Sequence, residues 1–377
     1  MAKELARFQN FAKLKDTEVA FNDITVIAGK PGTGKSYVMK FMYAIDEAYS
    51  LLSKDIDELF SQLNNIRSRS NNMEEILLEE ILEFYNGLHK YKKVTENSSN
   101  KNTSLILKEK LQQKIPNLLN SIFMNIEEIS KSFIVNSNSI IIDYDKTFKL
   151  TINNKVDNEE DFTMHEVIFV ETPLILEFKK FMRREEGKTP YHIESLLNIL
   201  DTDYSFTDAE QDKFIKDFTQ KSKETIKGNI ESSGDSFIFN KDNDKNYDII
   251  NASSGTKSIG LLQYLVTNKA LKKGSVLYWE EPEVHLHPEW QLRMIELFIE
   301  LMNAGVKIVF STHSTFMVDS LNALSKKEDF SDRVSFNLFK ETDGIVENHI
   351  LEADKEWKLI QDELLKSSLE EIMWQYL

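Results

Sequence analysis

A glycine-rich segment near residue 30 has the residue types of a phosphate-binding loop. It fits the pattern Gly-x-x-x-x-Gly-Lys-Ser and consists of Gly29, Lys30, Pro31, Gly32, Thr33, Gly34, Lys35 and Ser36. The glycines let the backbone curl so that successive amides point at a phosphate, the second lysine reaches the β- and γ-phosphates, and the serine hydroxyl ligates Mg²⁺. An apolar run over 24–28 precedes the segment and apolar residues at helical spacing follow it, as such a loop requires. The pattern predicts a bound nucleotide with Mg²⁺.

Two adjacent carboxylates, Glu280 and Glu281, follow a second apolar strand that is predicted over 276–279. Beside a phosphate loop, one such carboxylate can hold the water shell of Mg²⁺ and the other can orient an attacking water. Adjacent glutamates are also common on protein surfaces, so this interpretation depends on the loop lying nearby. From the residues alone, one of the two glutamates is expected to serve the metal together with Ser36 and the other to serve hydrolysis.

Two further segments place polar residues where a strand ends or a helix begins. His313 follows an apolar strand predicted over 306–310, and a neutral imidazole retains one N–H that can donate to a γ-phosphate. A lone histidine is more often structural, so its role depends on its neighbours. Ser254 and Gly255 open an apolar helix, where amides and hydroxyls can bind an anion. The alternative for this second segment is an ordinary helix cap.

In their order along the chain, these four segments resemble the nucleotide-binding head of the ABC-type ATPases. The similar branch includes Rad50, SMC, RecF and the OLD-like ATPases of prokaryotic defence systems. The matching motifs are Gly29–Ser36 for Walker A, Ser253–Lys257 for the ABC signature, Val276–Glu281 for Walker B, Glu283–Pro288 for the D-loop and His313 for the switch histidine. The string from Glu280 to Pro288 is the most specific of these, and it is similar to that of the defence-associated branch.

Two positions depart from the pattern of these relatives. The resemblance implies that Glu280, with Ser36, serves the metal and that Glu281 serves hydrolysis. Glu280 stands where many relatives have aspartate, and we expect its longer side chain to reach a metal-bound water. The glutamine that usually senses Mg²⁺ in the family has no clear counterpart, and Glu171, at the end of an apolar run over 167–170, lies in about the right region. The expected Mg²⁺ site therefore differs from that of the relatives at Glu280 and is incompletely assigned at Glu171.

The resemblance implies an α/β fold, that of a P-loop NTPase with an ABC-type ATPase head. Such a head has a mixed central sheet, an antiparallel β-subdomain and helical insertions. We expect the head over 1–50, 133–172 and 236–352, a helical insert over 51–132, a helical subdomain leading to the signature over 173–235, and a C-terminal helix over 353–377.

The resemblance also implies a mechanism that two chains share. Two heads would sandwich two ATP molecules, and Ser254 and Gly255 of the opposite subunit would complete each site, so that ATP favours self-association and hydrolysis releases it. Only 64 residues follow His313, too few for the TOPRIM nuclease domain that OLD proteins have at this end. We therefore expect an ATPase switch that controls a separate effector, a nuclease or toxin, in antiphage defence. The alternatives are a DNA-repair or DNA-loading ATPase of the RecF or Rad50 type and a nucleotide-dependent scaffold with little turnover.

The composition restricts the partners. Lys and Arg number 46 against 62 Asp and Glu, and the formal charge of −16 disfavours nucleic acid and anionic lipid without excluding a local DNA contact. Cysteine is absent, so thiolate metal sites are excluded, and we interpret the alternating His285 and His287 as part of the dimer contact. No run approaches the roughly 18 apolar residues that span a bilayer. We expect a cytoplasmic protein with no membrane partner.

Overall fold

The structure is a computed structural model of the chain. It describes residues 4–11, 13–67, 113–123, 132–136, 139–144, 148–153, 166–180, 189–202, 204, 209–242, 245–351 and 357–366. Much of the predicted insert, over 68–112 and 124–131, lies outside the described residues, as do 353–356 and 367–377 of the predicted C-terminal helix.

The described part of the chain alternates strands and helices. The strands are β1 (Glu4–Phe11), β2 (Leu14–Phe21), β3 (Ile24–Gly29), β4 (Ser132–Asn136), β5 (Ser139–Tyr144), β6 (Phe148–Asn153), β7 (Val167–Val170), β8 (Gly228–Ser233), β9 (Ser236–Lys241), β10 (Tyr247–Asp248), β11 (Val276–Glu280), β12 (Lys307–Thr312), β13 (Val334–Thr342) and β14 (Ile345–Leu351). The helices are α1 (Lys35–Arg67), α2 (113–123), α3 (Ile175–Phe178), α4 (Tyr191–Asp201), α5 (Ala209–Ile226), α6 (Ser254–Thr267), α7 (Pro288–Asn303), α8 (Thr315–Lys327) and α9 (Trp357–Gln361), which continues into a π-helical turn over Asp362–Lys366.

The main sheet has 11 strands among the described residues, in the order β4-β5-β6-β1-β2-β14-β13-β3-β12-β11-β7. The five strands from β13 to β7 are parallel, with β3 in register between β12 and β13, whereas the strands from β4 to β2 pair in an antiparallel manner. Every residue of β3 and β7 is buried, as expected for parallel strands that are covered on both faces. The predicted mixed central sheet is confirmed.

Helices cover both faces of the parallel part of this sheet. Successive strand residues point to opposite faces, so Trp279 packs on the side of α6 and α7 while Tyr278 packs on the side of α1. Buried residues of α2 lie on the same side as α1, which places one segment of the predicted insert against the head. This layering is that of an α/β fold.

A second, smaller sheet is antiparallel and consists of β10, β9 and β8. The structure differs here from the predicted boundaries, because the helical segment expected over 173–235 ends at Ile226 and Gly228–Ser233 is a strand. Gly228 lies so close to the carbonyl of Asn240 that a Cβ would be 2.4 Å from it, which ties β8 to β9 at this point. The α/β fold with an additional antiparallel sheet is confirmed.

A tight hairpin turn lies at Asp343 and Gly344. It joins β13 to β14, and both turn residues have positive φ, 53° and 77°, as a tight hairpin turn requires. Among the helices of the described residues, none combines the length and the apolar character needed to cross a bilayer.

Candidate nucleotide-binding and catalytic site

The predicted site residues follow the carboxyl ends of neighbouring parallel strands. β3 ends at Gly29, β12 at Thr312 and β11 at Glu280, and these three strands are adjacent in the sheet. Ligands of open α/β sheets bind at this edge. The sheet therefore brings the phosphate loop, the two glutamates and His313 to one place.

Glycine is required at the start of the phosphate loop. A Cβ at Gly29 would lie 2.5 Å from the carbonyl oxygen of Phe339 on β13, so β3 and β13 approach too closely there for any other residue. Gly32 and Gly34 have φ of +76° and +90°, a left-handed conformation that L side chains rarely adopt. The Thr33 hydroxyl donates to the carbonyl of Lys30 at 2.9 Å and closes the turn. The loop is thus a curled backbone with its amides at the start of α1.

The outer arm of the loop is formed by Lys30 and Pro31. Pro31 is exposed and has no amide hydrogen. The Lys30 ammonium lies 3.5 Å from the Glu363 carboxylate, just after α9. The amides that can reach a phosphate are consequently those from Gly32 onward.

Lys35 is a buried cation held by the loop itself. Its Nζ donates to the carbonyls of Gly29 and Lys30 at 2.9 Å each and lies 3.3 Å from Nε2 of His313. Burial lowers the pKa of Lys35 to about 8, although nearby carboxylates, Glu281 foremost, partly oppose the shift. A desolvated ammonium of this kind gains strongly from an anionic ligand.

Glu281 and His313 face each other across the site. Nε2 of His313 lies 3.0 Å from Oε1 of Glu281, and both side chains are partly exposed. Glu281 has a φ of 45°, an unusual conformation for a non-glycine residue, and its amide donates to the carbonyl of Ser311 at 3.1 Å. The backbone after β11 is therefore turned so that this carboxylate points to the histidine.

Glu283 holds His313 in position, a role that the sequence did not reveal. Its Oε1 accepts from the His313 amide at 2.7 Å and from the Thr312 hydroxyl at 2.8 Å. Burial raises the pKa of Glu283. Because Glu283 lies two residues after Glu281, the carboxylate connects the two strand ends that supply Glu281 and His313.

Glu280 has the features of a metal ligand. It is partly buried, its Oε1 has no hydrogen-bond partner among the described residues, and a hydrogen bond from Ser36 acts to lower the pKa of its carboxyl group. Burial raises its pKa to about 7, and the charge of Glu171 contributes in the same direction. A divalent cation between Ser36 and Glu280 would satisfy the orphaned oxygen, so the residues fit Mg²⁺.

Glu171 lies at the end of β7, beside β11, and has two cationic or polar neighbours. Oε2 of Glu171 is 2.8 Å from Nε2 of His192 on α4, and Oε1 is 3.2 Å from the ammonium of Lys40 on α1. The hydrogen bond from His192, together with Lys40, lowers the pKa of Glu171 to about 2. The sequence pointed to Glu171 alone, because His192 and Lys40 become its neighbours only through the sheet topology.

The signature segment begins α6 and has a structural cap. The Ser253 hydroxyl accepts from the amide of Thr256 at 3.2 Å, which is the helix-cap arrangement. Gly255 packs against the ring of Trp290 on α7, where a Cβ would be 3.2 Å from two ring carbons. Lys257 is buried and forms an ion pair with Glu177 on α3.

The structure does not bring Ser254 and Gly255 to the phosphate loop of their own chain. Within the described residues, no hydrogen bond of either residue reaches that loop. Ser254 is partly exposed at the first turn of α6. The predicted binding residues therefore form two separate groups, one around Lys35 and one at the start of α6.

The two histidines of the D-loop segment have different settings. His287 caps α7, since its Nδ1 accepts from the amide of Glu289 at 3.3 Å. His285 has a φ of 65° in the tight turn before it. Proline in the first turn of a helix, here Pro288, is a sequence feature that marks such a helix start.

Comparisons with known proteins give one family match and several similar solved structures. The sequence model of a family described as "AAA domain, putative AbiEii toxin, Type IV TA system" matches residues 24–319. Similar solved structures include the SMC head domain from Thermotoga maritima, with 9% identity, coverage of 94% of this chain and 100% of that chain, and a TM-score of 0.39. An Smc head domain from Pyrococcus furiosus, bound to the C-terminal domain of ScpA, has 12% identity, coverage of 96% and 98%, and a TM-score of 0.41.

A nucleotide-free ATP-binding cassette from an ABC transporter has 13% identity, coverage of 95% of each chain and a TM-score of 0.37. No curated protein matches the chain in sequence. The residues matched by the family model include the phosphate loop, the signature segment, Glu280, Glu281 and His313.

Proposed function

Because the chain belongs to the AAA domain family described as putative AbiEii toxin of a type IV toxin–antitoxin system, we propose that it binds and hydrolyses ATP as a switch. In this proposal ATP joins two heads, and hydrolysis separates them. The observation that supports it best is the group of Lys35, Glu281 and His313 at the ends of adjacent strands, with 3.0 to 3.3 Å between their side-chain atoms.

The residues around Lys35 can bind a nucleoside triphosphate. Lys35 would exchange the carbonyls of Gly29 and Lys30 for the β- and γ-phosphates, which gives its buried charge an anionic partner. Ser36 and Glu280 would hold Mg²⁺. The bound ion would neutralise the negative charge that develops on the phosphates.

Hydrolysis then requires a positioned water. Glu281 would accept a hydrogen bond from that water and orient it towards the γ-phosphorus. His313, whose Nε2 is paired with Glu281 in this structure, would donate to the γ-phosphate instead. Glu283 accepts a hydrogen bond from the His313 amide and would thereby fix the position of this histidine.

The signature segment supports the two-chain arrangement. The start of this 14-residue helix can bind an anion, and among the described residues no hydrogen bond of Ser254 or Gly255 reaches the loop of the same chain. Ser254 and Gly255 of one head would therefore complete the site of the other.

The ATP-dependent dimer would control a separate effector, a nuclease or toxin, in antiphage defence. The family description, which names a toxin–antitoxin system, supports this context. The hydrolysis step set by Glu281 would then determine how long the signalling complex lasts.

The test is sedimentation of a Glu281→Gln variant, which should bind ATP without hydrolysing it. With ATP and Mg²⁺ we expect a species of twice the chain mass of 43.9 kDa, and without nucleotide a single chain. Glu296→Gln is the matched control, because Glu296 is a partly exposed glutamate that pairs with Arg293 on α7, outside the proposed site. A Glu281→Gln protein that stays a single chain in saturating ATP would contradict the two-head mechanism.

A further inference from the structure

An exposed aromatic ring lies directly after the phosphate loop. The Tyr37 side chain is 49% exposed although it belongs to the first turn of α1. Its ring is stacked on that of Phe123, with ring centres 5.7 Å apart and an interplanar angle of 6°. The ring of Phe11 packs against Tyr37 with an interplanar angle of 85° and ring centres 5.8 Å apart. Two other rings therefore fix the orientation of Tyr37, and about half of its surface remains accessible.

The strand order indicates which end of a nucleotide would reach this ring. β3, which leads into the loop, has β12 and β11 on one side and β13, β14, β2 and β1 on the other. The first side supplies Glu281 and His313, so the γ-phosphate belongs there. The nucleoside end then extends to the side of the β1–β2 hairpin.

Tyr37 lies on that second side. Phe11, whose ring contacts it, is the last residue of β1 and pairs with Leu14 at the start of β2. The Leu14 side chain is in turn 4.0 Å from the position of a Cβ at Gly34 in the phosphate loop. The end of the hairpin and Tyr37 thus border the loop opposite the catalytic residues.

From these contacts we propose that Tyr37, supported by Phe11 and Phe123, is the surface on which the purine base of the nucleotide stacks. Aromatic rings bind bases through their faces, and a ring whose orientation is already fixed loses little entropy on binding. Phe123 is part of α2, so a segment of the predicted helical insert takes part in nucleotide binding. This inference rests on the proposed binding of ATP at Lys35 and Glu280.

Binding of a ligand without a base separates stacking from phosphate recognition. Calorimetry would compare Mg²⁺–ATP with Mg²⁺–tripolyphosphate in the unaltered protein and in three variants. Tyr37→Ala should weaken ATP binding about tenfold, in line with the loss of one base–aromatic stack, and leave tripolyphosphate affinity unchanged. Tyr37→Phe should bind ATP like the unaltered protein.

Tyr37→Leu keeps an apolar side chain against Phe123 and so tests whether the ring itself matters if the alanine variant folds poorly. It too should lose ATP affinity and retain tripolyphosphate affinity. Phe178→Ala, at another exposed aromatic residue on α3, is the control and should change neither.

The outcomes distinguish the two proposals. If the unaltered protein binds no ATP, the proposed function fails, and the base site fails with it. If the unaltered protein binds ATP and Tyr37→Leu binds it equally well, only the base site is refuted. An equal loss for ATP and tripolyphosphate would also refute it, because the variant would then have disturbed the loop.

Discussion

Two desolvated groups beside the phosphate loop predict that nucleotide binding exchanges protons with the solvent. Burial raises the pKa of Glu280 to about 7 and lowers that of Lys35 to about 8. Mg²⁺ at Glu280 favours the ionised carboxylate and releases a proton, whereas a phosphate at Lys35 favours the ammonium and takes one up. The two exchanges oppose each other, so their balance depends on pH.

The net number of protons exchanged on nucleotide binding changes sign between pH 7 and pH 8. At pH 7 about 0.5 of the Glu280 side chains are protonated and about 0.1 of the Lys35 side chains are neutral, so binding releases about 0.4 proton. At pH 8 these fractions are about 0.1 and about 0.5, so binding takes up about 0.4 proton. The net exchange passes through zero at about pH 7.5.

Calorimetry with a non-hydrolysable ATP analogue and saturating Mg²⁺ measures this exchange. Titrations at each pH in two buffers of different ionisation enthalpy give the number of protons. Glu280→Gln cannot release a proton, so it should show uptake at both pH 7 and pH 8. Exchange of the same sign at both values in the unaltered protein, or an unchanged exchange in Glu280→Gln, would refute the reasoning.

Three further predictions concern single side chains. Lys35→Ala removes the cation that binds the phosphates, so calorimetry should show ATP affinity reduced at least about 100-fold; retained micromolar binding would contradict the assignment. Ser254→Arg should keep ATP affinity within about twofold but lower the rate of phosphate release at least about 100-fold, since it blocks the site of the opposite head; full activity would mean that this segment is only a helix cap. Glu47, on α1, is buried and accepts from the hydroxyl of Tyr191 at 2.8 Å, and burial raises its pKa from 4.5 to about 7. The folded protein therefore binds an extra proton between these values and loses stability as pH rises through them, so in urea unfolding Glu47→Gln should stabilise by about 3 kcal/mol at pH 8 and about 1 kcal/mol at pH 5.5. Equal effects at the two pH values would contradict the burial argument.

The catalytic part of the site was predictable because each residue follows an apolar strand. The runs before Gly29, Glu280 and His313 are continuous and buried, and such runs form the parallel strands of an α/β sheet. Their carboxyl ends must meet at one edge, which the structure shows. The family model confirms an AAA domain over 24–319, and the roles of the individual residues remain predictions.

The supporting contacts were not predictable, because they join residues that are far apart in sequence. Glu171 was noticed alone, and neither Lys40 nor His192 has a local pattern that indicates contact with it. Phe123 reaches Tyr37 only because α2 packs against α1. Such neighbours follow from topology, which single-residue patterns do not contain.

The position of β3 between β12 and β13 affects the order in which the protein can fold during synthesis. β3 ends at Gly29, but its two neighbours span Lys307–Thr312 and Val334–Thr342. A ribosome has made about 300 residues more before either neighbour is available, and until then the apolar edges of β3 lack their partners. The phosphate loop is thus among the first segments made and among the last to be supported. Shortened chains that lack β12 and β13 would expose an aggregation-prone strand and could not assemble this site.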